Sequence, residues 1–223
     1  MVNKDGSIPV NHKRVERIMK ENGIRSRVSK KFKATTNSNH KLPVAENILN
    51  RDFTADKPNE KMVSDITYLW TEEGWLYVAA IMDLCGQKII GLSMSERMTK
   101  DLVINALNDA YRRAGKPKGT ILHSDRGSQY CSNDYQYLLN KYGFVCSMSR
   151  KGNCWDNAPM ESFWGKMKCE WLYGKHFKNR QEARSAVFEY IEIFYNRQRI
   201  HASNDYITPE EFYANALKKV EAA

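Results

Sequence analysis

The stretch 121–168 carries the side chains that are best suited to chemistry on phosphate. Asp125 follows the apolar run TILHS and precedes a turn signal, which predicts a carboxylate at the end of a strand. Glu161 comes after 35 intervening residues (126–160), just inside a predicted helix. Lys168 lies two helical turns further on, so it shares a helix face with Glu161. Together these residues predict a metal site that handles phosphate.

A third carboxylate, Asp65, interrupts the strand-like run MVSDITYLW, which is rich in β-branched and aromatic residues. Burial of an unpaired carboxylate carries a large free-energy cost. We therefore expect Asp65 to be paired with a cation, bound to a metal ion, or left accessible to solvent.

Three sequence blocks around these acids resemble a known family: SDITY, HSDRGSQYCS and GNCWDNAPMESFWGKMKCE. In this order and spacing they are similar to the DDE transposases of bacterial insertion sequences, specifically the OrfB-type protein of the insertion-sequence-three family, which is related to retroviral integrases. The downstream run YNRQRIHASNDYITPEEF extends the resemblance from about residue 10 to the end of the chain.

The resemblance implies transfer of a DNA phosphodiester to water or to a 3′-hydroxyl. The nucleophile must be activated and the leaving oxygen stabilised on opposite sides of one phosphorus, and two divalent ions about 3.5–4 Å apart do both. We expect Asp65 to bridge the two ions, with Asp125 and Glu161 each completing one. Carboxylates without His or Cys favour Mg²⁺ or Mn²⁺ over zinc.

Each of the three acids also has a structural explanation. For Asp65 the alternative explanation is a strand acid that forms an ion pair with Lys or Arg. For Asp125 it is an Asx turn before Gly127, and for Glu161 it is a first-turn acid favoured by the helix dipole.

Two further acids are interpreted as structural. Asp83 lies next to a turn on the second predicted strand, and Asp156 is a candidate helix cap together with Asn157. Trp164, at helical spacing from other apolar residues, is expected in the core.

We expect the DNA contacts to come from cations. The resemblance implies that Lys168 touches the transposon end, with a solvated helix lysine as the alternative. It also implies that the pattern YNxxRxH belongs to the catalytic domain, and we expect Arg199 and His201 to project outward beside the carboxylates and hold phosphate. A favourable position at a helix C-terminus is the other explanation for these two. The full predicted set is Lys13, Arg14, Arg17, Arg126, Lys151, Lys168, Arg199 and His201.

The formal charge of +9 is concentrated in the first fifth of the chain. Residues 1–41 hold 11 Lys or Arg and 3 Asp or Glu, a balance of +8. We interpret this segment as DNA-binding, the alternative being a solvated arm that aids solubility. The run VNHKRVERIMKENGI predicts an amphipathic helix with a cap at Asn11 and a stop at Gly23. It resembles the last helix of a helix-turn-helix, of which we expect only a part.

The chain divides into three predicted parts: a basic helical segment at 1–41, a linker at 42–59 with at most one short helical piece, and a catalytic core at 60–215. In the core, three strands form an antiparallel meander and are followed by helix, strand, helix, strand and helix. This order predicts an α/β fold with a ribonuclease-H-like mixed sheet. A long closing helix with a capping box at Asn179 and Glu182 is expected to cover the sheet.

The composition, 42% hydrophobic and 11% aromatic, is typical of a folded protein. No apolar run approaches the length of a membrane helix and the first residues do not form a signal peptide, so we expect a cytoplasmic, nucleoid-associated protein with no membrane partner. The five cysteines contain no CxxC pair, which argues against a disulfide framework and a zinc ribbon. Most of them are expected to be buried.

The leading hypothesis is a transposase that nicks insertion-sequence ends to free 3′-hydroxyls and joins them to DNA. A ribonuclease-H-like nuclease that only hydrolyses, and a catalytically idle DNA-binding remnant of a mobile element, are the alternatives. The expected partners are the insertion ends and target DNA, further copies of the chain on DNA, and the product of an upstream overlapping frame.

Overall fold

The computed structural model describes residues 11–24 and 42–222. Contacts divide the chain into two compact units, 1–31 and 32–223. None of the helices in the described ranges is long and apolar enough to cross a bilayer.

The smaller unit contains helix α1, His12–Glu21. Its first turn is capped by Asn11, whose side chain accepts a hydrogen bond from the Lys13 amide at 2.9 Å. Gly23 follows the helix in a left-handed conformation, which glycine adopts without strain. The predicted helix, cap and stop are confirmed, and the rest of the predicted basic segment lies outside the described residues.

Five strands form one mixed sheet in the larger unit: β1 Lys61–Thr71, β2 Gly74–Asp83, β3 Lys88–Ser95, β4 Ile121–Ser124 and β5 Val145–Met148. β1, β2 and β3 pair antiparallel, while β4 and β5 pair parallel, in the order β3-β2-β1-β4-β5. The tight turns after β1 and β2 produce the meander that the sequence predicted.

Five helices belong to the same unit: α2 Lys100–Arg113, α3 Asn133–Tyr142, α4 Ala158–Met167, α5 Arg180–Phe188 and α6 Pro209–Glu221. α4 and α5 each continue directly into a π-helical stretch, Lys168–Leu172 and Glu189–Tyr195. The order of three strands followed by α2, β4, α3, β5 and α4 confirms the predicted succession of elements.

Hydrophobic clusters cover both faces of the sheet. Successive side chains of a strand point to opposite faces, so β1 sends Met62 into a cluster with α2 and α3 and Val63 into one with α4 and α5. Trp164 lies in the second cluster, as expected. The closing helix, α5 with its π-helical continuation, contributes Val187 and Tyr190 to that cluster, so it packs on the sheet through its apolar face.

The closing helix begins where the sequence places it. The Asn179 side chain accepts a hydrogen bond from the Glu182 amide at 2.8 Å. The Glu182 carboxylate accepts in turn from the amide of Lys178, one residue before the expected position. The reciprocal capping predicted from the sequence is therefore present with a small shift.

The segment 42–59, predicted as a linker, packs on the sheet at several points. Leu49 is buried in the core, and its amide donates a hydrogen bond to the Ser147 hydroxyl at 3.0 Å. The Glu46 carbonyl accepts from the Met148 amide of β5. No helix forms between residues 42 and 59. The boundaries of the three parts stay a prediction.

The expectation that most cysteines are buried is wrong. Only Cys85 and Cys131 are buried, Cys146 and Cys169 are half-buried, and Cys154 is exposed. None of the five forms a disulfide bond in this structure.

Two glycines are expected to respond in opposite directions to alanine. At Gly91 of β3 an added Cβ meets the Ala106 carbonyl oxygen at 2.5 Å and the Ala110 Cβ at 2.7 Å, because α2 packs directly on the strand. Gly91→Ala should therefore lower the free energy of unfolding by about 1–3 kcal/mol. At Gly165 of α4 nothing lies within 4 Å, so Gly165→Ala should raise it by up to about 1 kcal/mol.

Urea denaturation of both variants measures these changes. A neutral Gly91→Ala variant would contradict the close packing of α2 on β3.

Candidate active site

Parallel pairing of β1 and β4 aligns two of the three predicted acids. Met62 of β1 pairs with Leu122 of β4. Continued by three residues, this register aligns Asp65, within β1, with Asp125, directly after the end of β4. The two carboxylates are therefore neighbours through strand geometry alone.

The charge of Glu161, the third acid, acts on the Asp65 carboxylate. Burial raises the pKa of Asp65 well above its ordinary value, and the negative charges of Asp125 and Glu161 raise it too. Glu161 lies exposed in the first turn of α4, where partial loss of hydration raises its pKa. The structure thus brings Asp65, Asp125 and Glu161 into electrostatic contact.

The three acids do not form a closed metal cage. Within the described parts of the chain, no three His, Cys, Asp or Glu side chains stand close enough to hold one ion together. The carboxylates of the predicted metal site are therefore not yet arranged around a single ion position. It consists of mutually repelling carboxylates, one of them on the exposed first turn of a helix.

Hydrogen bonds orient two of the acids. The Trp164 indole Nε1 donates to Asp65 Oδ2 at 3.1 Å. Asp125 Oδ1 accepts from the Gly127 amide at 2.8 Å, which is the Asx turn considered as its structural explanation. Trp164 is both a core residue and a donor to the acid, a role that the sequence analysis missed. The signal was its position one helical turn after Glu161.

Lys168 lies at the same site. It is the first residue of the π-helical stretch that follows α4, and π-helical turns recur at functional sites. Its ammonium lies 5.6 Å from the centre of the Tyr68 ring. Burial lowers the pKa of Lys168 to about 8, and the charge of Asp65 opposes that decrease. The predicted placement of this cation near the acids therefore agrees with the structure.

Asp156 anchors the loop that leads into α4. It is fully buried, and its carboxylate accepts from the Arg150 guanidinium at 2.6 and 2.9 Å, from the Arg150 amide at 2.8 Å and from Arg51 Nε at 2.7 Å. These donors lower the pKa of Asp156. The expectation that Asp156 caps the helix is wrong, because both of its oxygens bind arginines.

Asn157 ties the same loop to β1. Its side-chain amide donates to the Ser64 carbonyl at 3.1 Å, one residue before Asp65. Asn157 is the N-cap residue of α4, as expected, but its side chain makes no capping bond to the helix. Together with Asp156 it fixes the start of the helix that carries Glu161 against the strand that carries Asp65.

Asp83 is structural, as interpreted. Its carboxylate is buried and accepts from the amides of Asn59 at 2.7 Å and Cys85 at 2.8 Å. Burial raises its pKa to about 7. Asp83 therefore shapes the β2–β3 turn.

The YNxxRxH pattern makes its contacts inside the protein. The Asn196 side chain bonds the amide and carbonyl of Ile89 at 3.0 and 2.9 Å. Arg199 is half-buried and forms a two-pronged ion pair with Glu170. His201 is buried against the Tyr195 ring, so the expectation that it projects outward is wrong.

The other predicted DNA-contacting cations lie in different surroundings. Arg126 donates to the Ser149 carbonyl and so joins the ends of β4 and β5. Lys151 is exposed in the turn between β5 and α4. The remaining cations are exposed on α1: Lys13, Arg14 and Arg17, the last paired with Glu21 at 3.6 Å.

Asp156→Asn is expected to loosen the start of α4. Loss of the charge weakens its bonds to Arg150 and Arg51, so the free energy of unfolding should fall by about 1–3 kcal/mol. Hydrogen exchange should accelerate at residues 150–162. Asp109→Asn on α2 is the matched control, because Asp109 also pairs with two arginines. If exchange at 150–162 rises equally in both variants, the anchoring role of Asp156 is refuted.

His201→Gln is expected to flatten the dependence of stability on pH. Burial and the positive charges of Arg199 and Lys166 lower the pKa of His201 to about 4, below the value of about 6.5 in an unfolded chain. The unfolded state takes up this proton first, so stability should fall as the pH drops from about 6.5 to about 4. Urea denaturation at several pH values measures the slope. Equal slopes in both proteins would show that His201 is accessible and charged.

Models of known families match most of the chain. Integrase core domain models match residues 55–154 and 161–217. An HTH-like domain model matches residues 1–32.

Two bacterial relatives are similar over nearly the whole chain. The insertion element IS600 uncharacterized 31 kDa protein of Shigella sonnei is 52% identical over 208 residues, which are 93% of this chain and 76% of the relative. Transposase InsF for insertion sequence IS3A of Escherichia coli (strain K12) is 47% identical over 204 residues, or 92% and 71%.

Solved viral structures share the fold. An intasome structure of simian T-cell lymphotropic virus, in complex with the PP2A regulatory subunit B56 gamma, matches with a TM-score of 0.60 and 16% identity, over 80% of this chain and 60% of the other. The HTLV-2 integrase catalytic core domain, in complex with magnesium, matches with a TM-score of 0.54 and 16% identity, over 70% and 97%. The ribonuclease-H-like sheet predicted from the sequence is thus confirmed. Identity to these relatives is about one half over nearly all of this chain, and integrase core models match it before residue 155 and after residue 160. The chain therefore belongs to the IS3 family of transposases, which are polynucleotidyl transferases of DNA transposition.

Proposed function

We propose that Asp65, Asp125 and Glu161 are the catalytic residues of this transposase and that they hold two divalent metal ions. The observation that supports this most directly is the parallel register of β1 and β4, which aligns Asp65 with Asp125, together with the Trp164 hydrogen bond that joins the helix of Glu161 to Asp65. The charges of Asp125 and Glu161 both raise the pKa of Asp65. A protein gains nothing in stability from gathering like charges, so such a cluster is typical of a functional site.

The donor set fits Mg²⁺ or Mn²⁺. Carboxylate oxygens are the hard ligands that these ions prefer, and neither His nor Cys belongs to the set. When bound, the ions supply an activated oxygen nucleophile and charge stabilisation at the phosphate. Asp65, Asp125 and Glu161 would hold these ions through their carboxylate oxygens.

The chain's own groups position the DNA. In the first step, the oxygen of water forms a bond to a phosphorus at an insertion end, and the bond to the 3′ oxygen breaks. In the second step, the oxygen of the freed 3′-hydroxyl forms a bond to a phosphorus of the target, and the bond from that phosphorus to the target's 3′ oxygen breaks. The incoming oxygen loses a proton and the departing 3′ oxygen gains one. Lys168, beside Asp65, holds a phosphate oxygen of the bound strand.

Duplex DNA is bound by the basic segment as well. The exposed cations Lys13, Arg14 and Arg17 of α1 supply affinity by displacing counterions from phosphates. The match of an HTH-like domain to residues 1–32 supports this assignment. Lys151, in the turn before the Glu161 helix, and Arg126, beside Asp125, are further candidates.

Joining two insertion ends to one target requires more than one active site, so we propose that copies of this chain assemble on DNA. The product of an upstream overlapping frame is a further proposed partner. A location on the bacterial nucleoid follows from the DNA substrate. The catalytic unit is assigned to residues 60–215, after the basic segment and the segment 42–59.

Asp65→Asn, Asp125→Asn and Glu161→Gln are each expected to reduce nicking and strand joining in Mg²⁺ by more than about a hundredfold. DNA binding should persist, because phosphate contacts come from cations. The matched controls are Asp83→Asn, a buried acid of β2, and Asp101→Asn, a first-turn acid of α2. Assays on labelled insertion-end duplexes measure both steps.

A variant of one of the three acids that retains near-normal cleavage would remove that residue from the site. Nicking by the unaltered protein without any joining would favour a nuclease that only hydrolyses.

A further inference from the structure

Residues 46–52, which we call the strap, lie against β5 at the edge of the sheet. The Glu46 carbonyl accepts a hydrogen bond from the Met148 amide at 3.2 Å, and the Leu49 amide donates to the Ser147 hydroxyl at 3.0 Å. The Leu49 side chain is buried in the cluster that α4 and α5 share. The strap therefore has a defined position on the sheet, although it precedes β1 in the chain.

The strap supplies donors to the buried carboxylate of Asp156. Arg51 Nε donates to Oδ1 at 2.7 Å, and Asn47 Nδ2 donates to Oδ2 at 3.0 Å. Arg150, from the same loop as Asp156, donates to both oxygens as well. Each oxygen of Asp156 thus has one partner in the strap, so the strap ties the loop that leads into α4 to the edge of the sheet.

The turn that brings Arg51 to Asp156 has an unusual backbone. Asn50 and Arg51 have φ angles of 44° and 64°, and neither residue is glycine. Strained backbone of this kind persists where its surroundings hold it, and it is concentrated at functional sites. The Asn50 amide donates to Asn47 Oδ1 at 2.8 Å. The Asn47 side chain therefore closes the turn with its oxygen and bonds Asp156 with its nitrogen.

The first turn of α4 needs such support. It contains Glu161, and the N-cap residue Asn157 makes no side-chain capping bond to it. The first amides of a helix have no partner within the helix, so helix ends open more easily than helix centres. Met160 is buried in the same turn, but Glu161 is exposed. The position of the Glu161 carboxylate therefore also depends on how the preceding loop is held.

We propose that Arg51 and Asn47 are positioning residues of the active site. They act through Asp156 and hold Glu161 in place beside the other two acids. This inference rests on the proposed function, which assigns Glu161 to the metal ions. Because a misplacement of about 1 Å can slow a reaction about a hundredfold, the strap contributes to the rate of the chemical steps and not to DNA affinity. The parts that set the active site then begin ahead of the catalytic unit assigned to residues 60–215.

A direct contact with DNA phosphate is the competing role for Arg51, whose side chain is 42% exposed. Two observations favour positioning. The Nε of Arg51 bonds a carboxylate that is fully buried, and the neighbouring donor Asn47 is neutral. A neutral amide displaces no counterion from DNA. The role that these two strap residues share is therefore the one that passes through Asp156.

Two variants of the full chain remove the donors. Arg51→Met keeps a long side chain without a donor. Asn47→Asp keeps the acceptor for the Asn50 amide and places a carboxylate oxygen where the amide donor lay, 3.0 Å from Asp156. The matched controls are Asn50→Asp, which adds the same charge at an exposed position of the same turn, and Arg112→Met, which removes an exposed arginine from an ion pair on α2.

Both strap variants should nick and join insertion-end duplexes about tenfold or more slowly at saturating DNA in Mg²⁺. The KM for DNA, and the Kd for DNA measured without metal, should stay unchanged. Hydrogen exchange at residues 150–162, also measured without metal, should accelerate. The controls should match the unaltered protein in every respect. All assays use a temperature at which circular dichroism shows each variant to be folded.

A double-mutant cycle identifies Asp156 as the link between the strap and α4. Asp156→Asn alone should slow nicking, and Arg51→Met in that background should slow it less than about twofold further. Two residues that acted independently would instead multiply their losses.

Normal nicking by both strap variants, alongside an inactive Glu161→Gln variant, would overturn this proposal and leave the proposed function intact. Multiplied losses in the double variant would also contradict it. Weaker DNA binding by Arg51→Met, with unaltered behaviour of Asn47→Asp, would assign Arg51 to a DNA contact instead. Cleavage by Glu161→Gln would refute the proposed function, and this inference with it.

Discussion

Repulsion among three carboxylates is the constraint on which this structure depends. Asp65 lies in a half-buried position where burial and two neighbouring acids raise its pKa, so the fold keeps together groups that repel one another. Rigid elements hold them in place. The parallel register of β1 and β4 aligns Asp65 with Asp125, and the Trp164 indole fixes one oxygen of Asp65. Glu161 alone depends on a loop, and its exposed position on α4 leaves the cluster open for an incoming cation.

Asp156 and Asp65 show how the surroundings of an acid decide its role. Asp156 is fully buried, yet its pKa is lowered because two arginines and a backbone amide donate to it. The two arginines compensate the charge of Asp156, which therefore anchors the loop that leads into α4. Asp65 receives an indole hydrogen bond but faces like charges, so it retains the capacity to bind a cation. Asn157, next to Asp156, joins this loop to β1 one residue before Asp65.

The sequence predicted the elements whose signals are local and missed contacts between distant segments. Alternation and turn residues predicted the meander, and the end of an apolar run predicted the position of Asp125 directly after a strand. Asp156 was interpreted as a cap because its arginine partner Arg51 lies 105 positions earlier. His201 was expected at the surface because no pattern of spacing reveals the Tyr195 ring that covers it. The packing of 42–59 on β5 was missed for the same reason, since a polar segment without periodicity reads as a linker.

Metal binding by the folded protein tests the central claim most directly. A crystal structure with Mn²⁺, located by its anomalous scattering, should show two ions about 3.5–4 Å apart. The Asp65 carboxylate should contact both, Asp125 and Glu161 should each contact one, and the Glu161 side chain should have turned toward β1. Ions bound elsewhere, or an Mn²⁺ site that leaves Glu161 in its present exposed position and does not involve Asp65, would contradict the account.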